Sequence, residues 1–170
     1  MKKLNKAIFL DRDGVINKNS GYVAHIENFR WLKNVKSAIK LLNKKKFKVI
    51  VITNQSGVAR GLHTEKDVLK LHNWINKELK KRGAKIDDFF FCPYHPFGLI
   101  KKYKKNSILR KPNPGMILKA KKKHNINLKA SFMIGDQKTD EICAKKAKVI
   151  FFYKKNNLLK DIKKILKKFD

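Results

Sequence analysis

The chain has 170 residues and a formal net charge of +30, from 43 Lys and Arg against 13 Asp and Glu. That length suits one domain with a proper core, its two cysteines exclude a disulfide framework, and no uncharged apolar run approaches the ~20 residues of a membrane helix. The lysines are spread along the chain instead of gathering among aromatics, so the charge reads as a solvated surface that attracts anions rather than a dedicated nucleic-acid face.

The first apolar run predicts a strand near 7–11. It delivers Asp11-Arg12-Asp13 onto a turn at Gly14. Side chains two apart on an extended chain point the same way, so Asp11 and Asp13 share one side. Such a pair offers a nucleophile beside a general acid and base, and can hold a divalent cation. A helix is expected near 35–46 and a strand near 48–53, where the β-branched run Val49-Ile50-Val51-Ile52 fits burial on both faces. The strand ends in Thr53-Asn54-Gln55-Ser56-Gly57, whose hydroxyl, amides and backbone N–H groups suit a phosphate cradle. Thr64 with Asp67 starts a helix over 64–82 that Gly83 stops. A third strand is expected near 88–91.

Arg110-Lys111-Pro112-Asn113-Pro114 then precedes a helix over 114–124, with Asn113 as the expected N-cap and Pro114 in the first turn. Arg110 can grip a phosphate with two hydrogen bonds, while Lys111 supplies a compact charge. A strand near 131–135 closes on Gly135-Asp136. Asp140, four residues on, lies in the first turn of a helix over 139–147 and can turn back toward the strand end. Asp136 is placed as a metal ligand. A last strand near 148–153 leads to a C-terminal helix over 156–169. Leu158, Leu159, Ile162, Ile165, Leu166 and Phe169 share its apolar face, which is expected to pack on the domain rather than on a membrane. This alternation predicts an α/β fold: a Rossmann-like, mainly parallel sheet with helices on both faces and a ligand site beyond the carboxyl ends of the strands. All four polar motifs fall at such ends.

Taken together, Asp11-x-Asp13, Thr53, Lys111 and Gly135-Asp136-x-x-x-Asp140 resemble the four motifs of the haloacid dehalogenase superfamily of phosphohydrolases. Longer phrases resemble its heptose-bisphosphate and histidinol-phosphate phosphatases: 9–17 (Phe-Leu-Asp-Arg-Asp-Gly-Val-Ile-Asn), 21–23 (Gly-Tyr-Val), 53–61 (Thr-Asn-Gln-Ser-Gly-Val-Ala-Arg-Gly), 92–96 (Cys-Pro-Tyr-His-Pro) and 110–116 (Arg-Lys-Pro-Asn-Pro-Gly-Met). The likeness spans about 7–153.

The resemblance implies a phosphomonoester hydrolase with no separate cap domain. Asp11 would be the nucleophile, Asp13 the acid and base, and Thr53 and Lys111 the phosphoryl-holding groups. Mg²⁺ would be held by Asp11, the backbone carbonyl of Asp13 and Asp136, with Asp140 in support. Substrate contacts are expected at Arg12, Asn19, Ser20, Gly21, Tyr22, Asn54, Gln55, Ser56, Arg110 and Gln137. The implied substrate is a small phosphorylated sugar, the 1,7-bisphosphate of D-glycero-D-manno-heptose, with histidinol phosphate and a polynucleotide 3′-phosphate as alternatives. A cytoplasmic monomer is expected, with no membrane and no obligate nucleic-acid partner.

The sequence departs from the subgroup in one loop. Many members hold a structural zinc through Cys-x-His and then Cys-x-Cys before Arg-Lys-Pro. Here Cys92 is followed by Tyr94 at the histidine position, Ser107 and Leu109 replace the cysteines, and His95 is out of register. One thiolate and one imidazole do not close a tetrahedral zinc site. No zinc is expected, and packing of Phe97, Tyr103, Ile108 and Leu109 is expected to hold the loop instead. Gln137 also stands where a lysine is common.

Overall fold

A computed structural model describes residues 4–155 and 157–168. Five strands, β1 (Ala7–Leu10), β2 (Lys48–Asn54), β3 (Asp88–Cys92), β4 (Phe132–Gly135) and β5 (Ile150–Tyr153), form one parallel sheet in the order β3-β2-β1-β4-β5. The central strand β1 pairs Ile8 with Val49 on one side and with Phe132 on the other. From β1 the chain winds outward to β2 and β3, then returns across the sheet to β4. The crevice of such a sheet opens where the winding reverses, beyond the ends of β1 and β4. Asp11 and Asp136 are the first residues past those two strands.

The central strand β1, all of β4 and the run Val49–Ile52 of β2 are apolar and buried because both faces of the sheet are covered there. Ile8, Leu10, Val49, Val51, Phe132 and Ile134 face one core with α1 (Val35–Lys44), α2 (Glu65–Lys80) and α5 (Leu158–Leu166). Ala7, Phe9, Ile50, Ile52 and Met133 face the other with α3 (Gly115–His124) and α4 (Lys138–Lys146). The expected capping box of α2 is present, Thr64 and Asp67 each accepting from the other's backbone N–H. On α5, Leu158, Ile162, Ile165 and Leu166 are buried against the domain and Asn157 caps the N-terminus through the Lys160 N–H. Phe169, assigned to the same face, lies outside the described residues.

Two expectations are corrected. Asn113 does not cap α3. Its N–H closes a turn onto the Arg110 carbonyl, its side-chain amide donates to the Ser107 carbonyl, and Pro114 takes the cap position with no side-chain bond. The loop after β3 is held only in part as expected. Tyr103 bonds Glu65 at 2.6 Å and packs beside Val58 and Val68, and Leu109 joins the second core, but Phe97 and Ile108 are 78% and 74% exposed. Backbone bonds anchor this loop: His95 N–H to Tyr103 O, and Ile100 N–H to Ala59 O. Of the zinc-register positions, Cys92 Sγ turns to the Tyr94 carbonyl and Ser107 Oγ accepts from the Leu109 N–H.

Candidate active site

A cavity of about 410 Å³ opens beyond the strand ends, lined by Asp11, Asp13, Asn19, Gly21, Tyr22, Thr53, Asn54, Gln55, Ser56, Lys111, Gln137 and Thr139. Its floor is built around Lys111, which is 3% exposed. The ammonium lies 2.8 Å from Asp11 Oδ1 and 2.6 Å from Asp140 Oδ1, and donates to the Ile52 carbonyl at 3.2 Å. Burial alone would drive Lys111 toward neutrality. The two carboxylates outweigh it and hold the pKa above the ordinary lysine value. Burial pushes the Asp11 carboxyl the other way, up to about 7, with Lys111 opposing and Asp140 and Asp13 adding to the rise.

Lys111 reaches the floor because Asn54 clamps its backbone. The Asn54 amide donates to the Lys111 carbonyl and accepts from the Lys111 N–H, each at 3.0 Å. Asp140 is fully buried and accepts from the N–H groups of Asp136 and Gln137, turning back to the strand end as its spacing implied. The turn at Gly14 must be glycine. Its φ is +89°, and a Cβ there would meet Asp136 Oδ2 at 2.2 Å.

Asp13 is fixed by a network beneath the cavity. Arg12 reaches both its oxygens at 3.0 Å, Asn17 donates to Oδ1 at 2.9 Å, and Gln55 donates to Oδ2 at 2.9 Å and to Thr53 Oγ1 at 2.9 Å. Arg12, expected as a substrate contact, is instead placed by the structure among the groups that hold Asp13. Arg12 is fully buried; besides Asp13 it engages the Val23 carbonyl, Gln55 Oε1 and His72 Nε2, so no face of it is left for a ligand. Ser20, Arg110, Asp136 and Asp140 also lie off the cavity lining; Ser20 is exposed and Arg110 half-buried against the Tyr94 carbonyl.

Two residues were missed. His72 is 2% exposed, stacks on Phe89 at 4.4 Å and is held well below the ordinary histidine pKa, first by burial and then by Arg12. Thr139 lines the cavity from the first turn of α4. Its signal was its place between Asp136 and Asp140.

Among the described residues, Asp11, Asp136 and Asp140 are the acids whose ligand atoms lie together, within 4.8 Å. Asp140 is committed to Lys111 and two backbone N–H groups, which leaves Asp11 and Asp136 for a cation. Asp136 Oδ1 is buried without a partner. A hard cation that prefers oxygen donors fits this pair.

The family model described as polynucleotide kinase 3 phosphatase matches residues 6–169. A D-glycero-beta-D-manno-heptose-1,7-bisphosphate 7-phosphatase from Rhodopseudomonas palustris is 48% identical over 141 residues, covering 83% of this chain and 78% of its own. Its counterpart from Escherichia coli K12 is 42% identical over 149 residues, covering 88% and 78%. The chain belongs to the polynucleotide kinase 3 phosphatase family, on its heptose-bisphosphate phosphatase branch. The crystal structure of the D,D-heptose 1,7-bisphosphate phosphatase from B. bronchiseptica, complexed with magnesium and phosphate, superposes on this phosphatase with a TM-score of 0.79 at 25% identity, covering 96% of this chain and 99% of that one. The haloacid dehalogenase-like fold expected from the motifs is therefore the fold of this phosphatase. No helix among the described residues is long and apolar enough to cross a membrane.

Proposed function

We propose that this phosphatase removes the 7-phosphate of D-glycero-D-manno-heptose 1,7-bisphosphate, as a cytoplasmic monomer that supplies the ADP-heptose precursor of lipopolysaccharide core. The observation that carries the chemistry is the bridge of Lys111 between Asp11 and Asp140 on the floor of a cavity that Thr53 and Asp13 also line. The 42–48% identity to heptose-bisphosphate phosphatases supports the substrate.

Asp11 attacks phosphorus through a carboxylate oxygen. Lys111 and the Arg12 N–H both engage Oδ1, and no described group bonds Oδ2. As the Asp11–phosphorus bond forms and the ester bond breaks, Asp13 gives a proton to the leaving sugar oxygen. It then takes one from the water that hydrolyses the aspartyl phosphate. Arg12, Asn17 and Gln55 keep that carboxyl aimed through both steps. Thr53 and Lys111 receive the phosphoryl oxygens, Lys111 exchanging one of its present partners for the phosphate. Mg²⁺ would be held by Asp11, Asp136 and the Asp13 carbonyl; bound there, it screens the carboxylate from the phosphate.

Phosphate release measured with Mg²⁺ on heptose 1,7-bisphosphate, histidinol phosphate and a 3′-phosphorylated oligonucleotide tests the reading. The expected kcat/KM on the heptose exceeds the others by at least about 100-fold, roughly 2.7 kcal/mol in transition-state binding. Preference for either rival keeps the chemistry and overturns the substrate, and the oligonucleotide is the rival that the family description and the charge of +30 favour.

A further inference from the structure

The loop after β3 holds large apolar side chains out in water. Phe97 is 78% and Leu99 81% exposed. Backbone bonds fix them there. The Phe97 N–H bonds His95 Nδ1 and the Gly98 N–H bonds the His95 carbonyl, each at 3.1 Å, and the Ile100 N–H bonds the Ala59 carbonyl at 3.0 Å. Gly98 is buried so closely on the 59–61 turn that a Cβ there would meet Ala59 Cβ at 2.8 Å. Ile100 lies over Gly61, its Cδ1 3.3 Å from where a Cβ would stand, and Leu62, the next residue, is 55% exposed. The loop and the turn beneath it thus bring four exposed apolar side chains to one part of the surface. The chain then becomes basic. Lys101, Lys102, Lys104 and Lys105 fall within five residues and are all exposed, a local departure from the even spread of lysine elsewhere. Lys102 and Lys105 lie over the rings of Tyr103 and Tyr94, at 5.0 and 4.2 Å. The stretch 89–135 contains no Asp or Glu, and Glu65, the acid that reaches this loop, accepts the Tyr103 hydroxyl.

Apolar side chains held in water gain on entering an apolar phase, and a loop already fixed by its backbone loses little further freedom in doing so. Lysine stems can run along such a surface while their ammonium heads stay in water. An apolar tip followed by four cations matches the interface of a bilayer, where the tip enters the head-group boundary and the lysines meet anionic head groups. Three of the four apolar side chains are aliphatic and offer no ring for a base to stack on, which favours lipid over single-stranded nucleic acid. We propose that the loop 97–105, with Leu62 beside it, docks the protein peripherally on an anionic membrane surface. Such a contact lies on the bilayer and needs no spanning helix. It is a partner that the sequence did not lead one to expect, and it is independent of which phosphate ester the cavity takes.

The full chain is sedimented with vesicles of phosphatidylcholine alone or mixed with phosphatidylglycerol, and wild type is expected on the anionic vesicles only. A net charge of +30 draws the chain to any anionic surface, so the deciding variant keeps the charge. Phe97→Ser with Leu99→Ser lowers partitioning at least about tenfold. Lys101→Gln with Lys102→Gln also weakens it, and by more than Lys121→Gln with Lys122→Gln, which removes the same charge from α3. Leu99→Cys carrying a polarity-sensitive dye, in a chain whose two native cysteines are buried, shifts its emission to the blue on anionic vesicles. If the double serine variant does not fold, the dye and the two lysine pairs decide. Wild type that stays off anionic vesicles, wild-type partitioning by the double serine variant, equal losses from the two lysine pairs, or a dye that keeps its emission overturns the proposal. So does binding of a single-stranded oligonucleotide that depends on Phe97 and Leu99 when vesicle binding does not.

Discussion

The floor of the cavity and its rim solve opposite problems. On the floor most of the buried charge is paired, with Asp136 Oδ1 left over: Lys111 has Asp11 and Asp140, Asp13 has Arg12 and Gln55, and Asp140 has two backbone N–H groups. At the rim, among the described residues, Arg60 and Arg110 have no acidic partner, and Phe97, Leu99 and Ile108 stand in solvent. The ion pairs of the floor are in place before substrate arrives, as preorganised stabilisation of developing charge requires. The rim has no such internal pairing. On the proposed function, reaction chemistry belongs to the sheet and the choice of substrate to the loops.

Substitutions can break that division. The largest effect is expected from Asp11→Asn, which removes the proposed nucleophile: phosphate release falls by a factor on the order of 10⁴ or more. Thermal unfolding should move little, because Lys111 keeps Asp140 and a carboxyl that burial disfavours is gone. A collapsed melting temperature would mean that the floor is held by Asp11 rather than by Lys111. Next comes Arg12→Met. It strands Asp13 and leaves the Val23 carbonyl without its donor, at about 3–5 kcal/mol by urea unfolding, the cost of breaking a buried ion pair from one side. A loss under 1 kcal/mol would show that Arg12 is dispensable to the floor.

A third, smaller effect is one of pH. His72 is held neutral beneath Arg12, with a folded pKa below its unfolded value. The unfolded chain therefore binds a proton that the folded chain refuses once the pH drops below about 6.5. The contribution is present above that value and is lost as the pH falls, at up to about 1.4 kcal/mol per unit. His72→Gln should flatten the stability–pH slope between pH 5 and 6.5, and an unchanged slope would place the titration elsewhere. The smallest effect sharpens the rim's side of the comparison: Phe97→Ser and Ile108→Ser should each change stability by less than about 0.5 kcal/mol, since neither side chain is packed. A loss above 2 kcal/mol would restore them as the loop's anchors.

How much of this was readable before the structure follows the same line. The strands, helices and the Asp11, Asp13, Thr53, Lys111, Asp136 constellation come from short-range rules: period-two alternation, apolar runs on both faces, and acids just past strand ends. Arg12 illustrates where motif reading stops. The alternation that joins Asp11 and Asp13 also turns Arg12 to the opposite side at the backbone, toward the interior, yet its place inside the motif suggested a ligand contact. His72 had no local signal, because its partner is sixty residues away in sequence. Asn113 looked like a cap by residue type, but the turn from Arg110 spent its groups first. Phe97 and Ile108 looked like packing by composition, whereas the backbone bonds that fix their loop leave both side chains outside.

The mutual clasp of Asn54 with the main chain of Lys111 joins positions 57 residues apart. In the currency of isotope exchange, it gives a loop amide the protection of the sheet. Lys111 N–H can trade its hydrogen with deuterated water only when the end of β2 lets go, so that one resonance is a clock for the integrity of the whole floor.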